Sequence, residues 1–320
     1  ALWVAGTVAQ TPRPPTRTVQ VSALFEPLSE RSIVFDETDW RALHGTPMTS
    51  AEAPFLDIYL LNRSVPPALE PAVNAWFEAR QRALVEATER EAIAGARLIV
   101  WSEANGVTLA RHERSFVDRV RDVARRRRVV VVMTLNVKDV GVRLSDNKAL
   151  IIDANGEVLA TYSKAHPVPG AEATRAGDGV VPVVATAVGR LALVICFDAD
   201  HPELVRQAAR GRADLLVVPG NDWRDITPYH TAMAAWRARE LGLPMVRAAS
   251  SGESAVFDSD GHVVTRQRTV ARGDSPMRAL APVGMRGTLY GRTGDALTAA
   301  AALVGLAIAA AHRRTRQARA

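Results

Sequence analysis

The apolar positions along this chain change period several times, and each change marks a predicted element. Residues 18–25, TVQVSALF, read as a first strand. Residues 72–95, AVNAWFEARQRALVEATEREAIAG, form a strongly helical run closed by Gly95. ARLIVWSE at 96–103 is a short apolar run of the kind that forms a buried strand, and a basic helix over 111–127 leads into VVVVMTLNV at 129–137. Two hairpins follow, KALIIDANGEVLATYSK turning at Asn155-Gly156 and SAVFDSDGHVVTRQ turning at Asp260-Gly261, since these pairs supply the positive φ of a tight turn. LALVICF, a helix opening near Asp200, DLLVVPG, a helix through Trp236 and PMVRAAS complete the alternation. Strand–helix–strand units mixed with antiparallel hairpins predict layered sheets with helices outside.

Three segments depart from this alternation. Residues 26–74 are loop-like and proline-containing, too long for an ordinary connection, and read as an insertion or lid. Residues 1–9 are apolar and run into TPRPPTR, a stiff linker. Ala296 to Ala311 is almost wholly apolar, with Thr298 its one polar residue, and a tail containing Arg313, Arg314, Arg316 and Arg319 follows. Roughly sixteen residues reach about 24 Å, short of the ~30 Å hydrocarbon core. Counting from Leu289 lengthens the run, and the basic tail favours a membrane span with a cytoplasmic end over an Ala-rich packing helix.

Composition adds two constraints. The chain has 320 residues, 48% hydrophobic and 23% charged, which suits a globular protein. The net charge of +6 carries little weight as a nucleic-acid signal, because no basic–aromatic stripe accompanies it. Of 40 basic residues only three are lysines, Lys138, Lys148 and Lys164. Where arginine is the default cation, a lysine marks a place suited to a compact, tunable ammonium. A single cysteine, Cys196, excludes an intrachain disulfide and any paired-cysteine metal or redox motif.

Glu103, Lys164 and Cys196 each stand at the end of a predicted strand, where loops converge and sites are built. A carboxylate, an ammonium and a thiol brought together can perform acyl transfer. Glu103 would take the thiol proton as general base, Lys164 would stabilise the thiolate and the oxyanion, and Cys196 would hold the acyl group as a thioester. Asp200-His201-Pro202-Glu203 has capping-box spacing, which predicts a helix start that points its N–H groups at the thiolate. His201 and His230 read as structural, with no metal and no cofactor expected.

The blocks Trp101–Glu103, Tyr162–Glu172, Ile195–Trp223, His230, Arg237–Glu240 and Arg247–Gly261 resemble the carbon–nitrogen hydrolase (nitrilase) superfamily, in particular its apolipoprotein N-acyltransferase branch, over about residues 18–268. The resemblance implies a four-layer αββα sandwich with a C-terminal apolar helix spanning a membrane, and gives Glu103, Lys164 and Cys196 the roles above. It implies a second glutamate eight residues after the lysine, where Glu172 stands, and supporting or substrate-binding positions at Phe197, Asp198, Asn221 and Trp223. The family's Cys-Tyr-Glu is here Cys196-Phe197-Asp198, and the asparagine loop Gly220–Trp223 is shorter. The implied organisation is a linker with the end of an upstream membrane helix at 1–17, a catalytic domain at 18–288 and a membrane helix with a basic tail at 289–320. The implied function is N-acylation of the N-terminal cysteine of lipoproteins from a phospholipid donor, at the cell membrane, with the catalytic domain on the extracytoplasmic side. The alternative is an amidase- or nitrilase-type hydrolase, in which water resolves the thioester.

Overall fold

A computed structural model describes residues 17–24, 64–222, 226–250, 252–268 and 276–317. One sheet contains β1 (Thr18–Leu24), β2 (Leu98–Trp101), β3 (Gly106–Leu109), β4 (Val130–Lys138), β5 (Asp146–Ile152), β6 (Val158–Ser163) and, from late in the chain, β13 (Met277–Pro282). Its order is β13-β1-β2-β4-β5-β6, with β3 also paired to β4. The second sheet contains β7 (Val183–Thr186), β8 (Gly189–Leu193), β9 (Leu215–Asn221), β10 (Met245–Ser250), β11 (Glu253–Phe257) and β12 (Val263–Arg268), in the order β12-β11-β10-β9-β8-β7. Each sheet has parallel strands at its centre, β1-β2-β4 in one and β8-β9-β10 in the other, flanked by antiparallel neighbours.

Side-chain alternation explains the layering. Leu98, Val100, Val130, Val132, Ala149 and Ile151 face the large core shared with the second sheet. Their neighbours Ile99, Trp101, Val131, Met133, Leu150 and Ile152 face a separate core under α1 (Glu70–Ile93) and α2 (Glu113–Arg127). Both faces of these strands are therefore apolar, as a continuous apolar run requires. On the outer face of the second sheet lie α3 (Pro202–Arg210) and α4 (Thr227–Leu241), which contribute Leu204, Val205, Ala208, Ala234, Ala238 and Leu241 to the large core. The layers are thus helix, sheet, sheet and helix.

Several expectations need correction. Residues 70–74, read as the end of the insertion, are the first turn of α1, because Pro71 occupies a position where a missing N–H costs nothing. Val65 bridges to Val140 ahead of a 3-10 turn at Pro67–Leu69, while residues 25–63 and 1–16 lie outside the described residues. The β7–β8 hairpin was not anticipated, since its Ala187-Val188 connection contains no turn-forming residue. Instead Thr186 Oγ1 accepts from the Val188 N–H at 3.2 Å and donates to the Gly189 carbonyl at 2.7 Å. The expected single helix from Leu289 is two, α5 (Leu289–Thr293) and α6 (Ala296–Gln317), divided at Gly294, whose φ of +56° breaks the helical path. α5 docks on the sandwich through Thr288, which accepts from the Gly291 N–H and bonds the Glu240 carbonyl. In α6, Leu303, Val304, Leu306 and Ile308 are all exposed. No helix among the described residues is long and apolar enough to cross a membrane.

Glu91 cross-links the first sheet to its helices. It is 4% exposed, accepts from Ser22 Oγ at 2.8 Å and takes a two-point bond from Arg278 at 2.7 Å on each oxygen. Burial works against its charge, but the Arg278 and Ser22 hydrogen bonds outweigh that and hold the carboxyl below its ordinary range. A carboxylate held low adds stability above its unfolded-state value and loses it as pH falls through the folded value. Glu91→Gln is therefore expected to destabilise the fold by about 1–3 kcal/mol at neutral pH. Urea unfolding at a series of pH values should show the gap to the parent narrowing on acidification; a pH-independent gap would contradict the assignment.

Candidate active site

Glu103 stands two residues beyond β2. Its N–H donates to the carbonyl of Gly220 in β9 at 3.2 Å, which joins the two sheets at the site. The next residue, Ala104, adopts a φ of +53°, a left-handed conformation. Lys164 directly follows β6, its N–H bonded to the Asn147 carbonyl at 2.9 Å and its own carbonyl accepting from Gly177 at 2.8 Å. The lysine is fully buried. Its Nζ donates to Glu103 Oε1 at 2.7 Å and to Glu172 Oε1 at 2.5 Å. Asn147 Nδ2 donates to the same Glu103 oxygen at 2.7 Å.

The charges at this cluster are unequal, with two carboxylates facing one ammonium. Burial alone would drive the Lys164 ammonium towards neutrality, but Glu103, Cys196 and Glu172 reverse this and hold its pKa above the usual range. Glu172 is pushed up by burial and by the charge of Glu103, against the pull of Lys164. Burial also pushes the Cys196 thiol up, and Glu103 adds to this, while Lys164 and a hydrogen bond with His230 oppose it without prevailing. Cys196 therefore rests as a thiol.

Cys196 opens a 3-10 turn, Cys196–Asp200, rather than the α-helix anticipated at Asp200. Its φ of +50° is a left-handed conformation that costs a non-glycine residue on the order of 1 kcal/mol or more. The α-helix begins one residue later than expected, at Pro202, with His201 preceding it and no side-chain cap. Asp200 is not a cap because its carboxylate reaches His230 Nε2 at 3.4 Å.

The strained turn is held by Asp198, whose side chain is fully buried. Its Oδ2 accepts from Tyr162 Oη at 2.8 Å, from the Ala165 N–H at 3.2 Å and from the Ile195 N–H at 3.4 Å; its Oδ1 accepts from the His166 N–H at 2.7 Å. Asp198 thereby ties the turn that Cys196 opens to the segment that carries Lys164. Phe197 is half-buried and meets the His201 ring edge-on, with centroids 5.1 Å apart. Asn221 closes β9, half-buried, and Trp223 lies outside the described residues.

Sequence reasoning missed three groups at the site. Asn147 has no motif signal, since its place beside Glu103 depends on strand register. Asp222 is buried beyond the end of β9, bonded by Arg247 Nη2 at 2.6 and 2.8 Å and by His230 Nδ1 at 3.0 Å. His230, read as structural, faces Cys196. Cys196, Asp222 and His230 each offer a ligand atom within 4.8 Å of the others, and Arg247 already bonds both oxygens of Asp222.

The carbon–nitrogen hydrolase family pattern matches residues 67–273. Among curated proteins, the apolipoprotein N-acyltransferase of Geobacter metallireducens is 30% identical over 262 residues, 73% of this chain and 50% of the relative. That of Bradyrhizobium diazoefficiens is 28% identical over 249 residues, 68% of this chain and 45% of the relative. The chain spans about half the length of the curated relatives it matches. Among solved structures, an amidase from Nesterenkonia sp. is similar with a TM-score of 0.56 and 25% identity, covering 74% of this chain and 92% of that one. A carbon–nitrogen hydrolase from Helicobacter pylori G27 shares the fold with a TM-score of 0.57 at 19% identity, covering 64% of this chain and 84% of that one.

Removing Asp198 would leave Tyr162 Oη and the N–H groups of Ala165 and His166 without their acceptor. Asp198→Ala is expected to cost about 2–5 kcal/mol. Amide hydrogen exchange should rise over residues 164–173 more than elsewhere. Unchanged exchange there would show that Asp198 does not hold the lysine segment.

Proposed function

The chain belongs to the carbon–nitrogen hydrolase family, and from that premise we propose that it is an acyltransferase working through a Cys196 thioester, N-acylating the N-terminal cysteine of lipoproteins from a phospholipid donor. The observation that carries the chemistry is the buried Glu103–Lys164–Glu172 cluster beside the single thiol. The acceptor and donor rest on the names of the curated relatives.

The proposed steps use these groups in turn. Lys164 and Asn147 both occupy Glu103 Oε1, so we assign Oε2 to proton transfer. Glu103 takes the Cys196 proton as the sulfur attacks the ester carbonyl. An ammonium has three N–H donors; two go to Glu103 and Glu172, and the third is assigned to the tetrahedral oxyanion. Collapse breaks the ester C–O bond, Glu103 returns the proton to the leaving alkoxide, and an acyl thioester remains. The incoming amine then attacks the thioester, gives its proton to Glu103 and expels the Cys196 thiolate, which is reprotonated as the amide product leaves. Fixed donors and a positioned base lower both barriers because they need no reorganisation during reaction.

This reading also places the work at a membrane surface, on the extracytoplasmic side. Its support is the exposed apolar surface of α6. Since no described helix is long and apolar enough to cross a membrane alone, the proposal is that α6 packs among other apolar helices. The amidase reading is favoured by one observation, the likeness to the Nesterenkonia amidase.

Intact mass analysis tests the choice. The full chain mixed with a phospholipid should gain one acyl group, labile to hydroxylamine, and lose it to a diacylglyceryl-cysteine peptide. Cys196→Ser should abolish the adduct. Lys164→Arg should lower its rate by roughly a hundredfold or more despite keeping the charge, since a forked guanidinium does not fit a compact ammonium site. Absence of the adduct, together with ammonia release from a small amide, would replace the acyltransferase reading by the amidase one.

A further inference from the structure

Beside Cys196 lies a set of charges that the mechanism above does not use. His230 projects from α4 and is 8% exposed. Its Nδ1 lies 3.0 Å from Asp222 Oδ1 and its Nε2 lies 3.4 Å from Asp200 Oδ2, while a ring nitrogen lies within 4.8 Å of the Cys196 sulfur. Both carboxylates are positioned by other groups. Asp222 is fixed by Arg247, which anchors its other guanidinium nitrogen on the Glu253 carbonyl at 2.8 Å. Asp200 belongs to the turn that Cys196 opens, and Arg237 of α4 bonds the carbonyls of Ala199 and Asp200 and the carboxylate of Glu240.

An imidazole with both nitrogens facing ionised acceptors has a proton-counting problem. The neutral ring carries one N–H, so one nitrogen would present its lone pair to a carboxylate. Only the doubly protonated ring satisfies both carboxylates. The sulfur, in turn, is otherwise poorly placed to ionise, being buried and close to Glu103.

We propose that His230 is a standing imidazolium, held by Asp222 and Asp200, that acts with Lys164 as a second cation for the Cys196 thiolate. This goes beyond the glutamate–lysine–cysteine set and rests on the reading of Cys196 as nucleophile. Lys164 approaches from the first sheet and serves the oxyanion; His230 approaches from α4 and serves the sulfur. The division matters when the thioester is aminolysed, since the sulfur then leaves as an anion and needs a cation already in place. The charge balance agrees. Burial opposes the imidazolium, but its bonds to Asp200, Asp222 and Cys196 outweigh this and raise its pKa to about 11.

Two measurements on the full chain decide the matter. Cys196 is the only cysteine, so alkylation by iodoacetamide reports one sulfur. His230→Gln keeps a polar side chain of similar reach but no charge, and the midpoint of its alkylation–pH profile should move up by about one unit or more, with a roughly tenfold slower rate on the rising limb. Superimposable profiles would overturn the proposal, because a merely structural histidine would leave them unchanged. The second measurement needs no variant and stands even if His230→Gln does not fold. In the ¹⁵N-histidine-labelled parent, long-range ¹H–¹⁵N spectra should show both His230 nitrogens protonated at neutral pH. A neutral tautomer would overturn the proposal. Neither readout requires an acyl donor, so failure of acyl transfer would count against the proposed function and not against this assignment.

Discussion

The site depends on one buried ammonium. Lys164 is wholly removed from water, and an unpaired charge there would cost several kcal/mol. Glu103 and Glu172 make the burial tolerable, and in doing so they fix the ends of β2 and β6 and the loop after Lys164 around a common point. The excess of carboxylate sets the rest of the electrostatics. Glu172 and the Cys196 thiol are both pushed up. A site arranged this way keeps a thiol protonated beside a carboxylate and an ammonium that are already in place.

The second constraint is backbone strain at Cys196. Cys196 and Ala104 both adopt left-handed conformations, and each lies at a strand end where the chain must turn abruptly to aim a side chain inward. The surrounding bonds over-determine the turn at Cys196. Asp198 draws Tyr162, Ala165 and His166 onto the 3-10 turn, so Cys196 and Lys164 are parts of one hydrogen-bonded unit although 32 positions separate them. The shorter Asp198 carboxylate, in place of the family's glutamate, still reaches all these donors.

Much of this was legible in the sequence. Unbroken apolar runs such as Leu98–Trp101 predicted strands covered on both faces, and the rarity of lysine drew attention to Lys164. What was not legible depends on register and on side chains that bond at a distance. Asn147 reaches Glu103 because β5 pairs with β6 so that Lys148 lies opposite Ser163, a pairing no local pattern encodes. His230 carried only the bland expectation of a structural histidine, since its carboxylate partners, Asp200 and Asp222, come from separate loops. The Ala187-Val188 turn lacked any turn residue, and the helix start moved to Pro202 because Asp200 is engaged elsewhere. Local chemistry predicts local structure well, and fails where a residue answers to a distant partner.

The central claim, that Lys164 is a permanent cation held by two carboxylates, can be measured directly. With only Lys138, Lys148 and Lys164 in the chain, ¹⁵N-lysine labelling yields three side-chain nitrogen signals. The Lys164 signal, identified by its disappearance in Lys164→Arg, should stay in the ammonium form across the whole pH range in which the protein remains folded. Lys138 provides an internal contrast, because burial lowers its pKa to about 7. A Lys164 signal that instead titrates to the neutral amine near or below the ordinary lysine value would contradict the account.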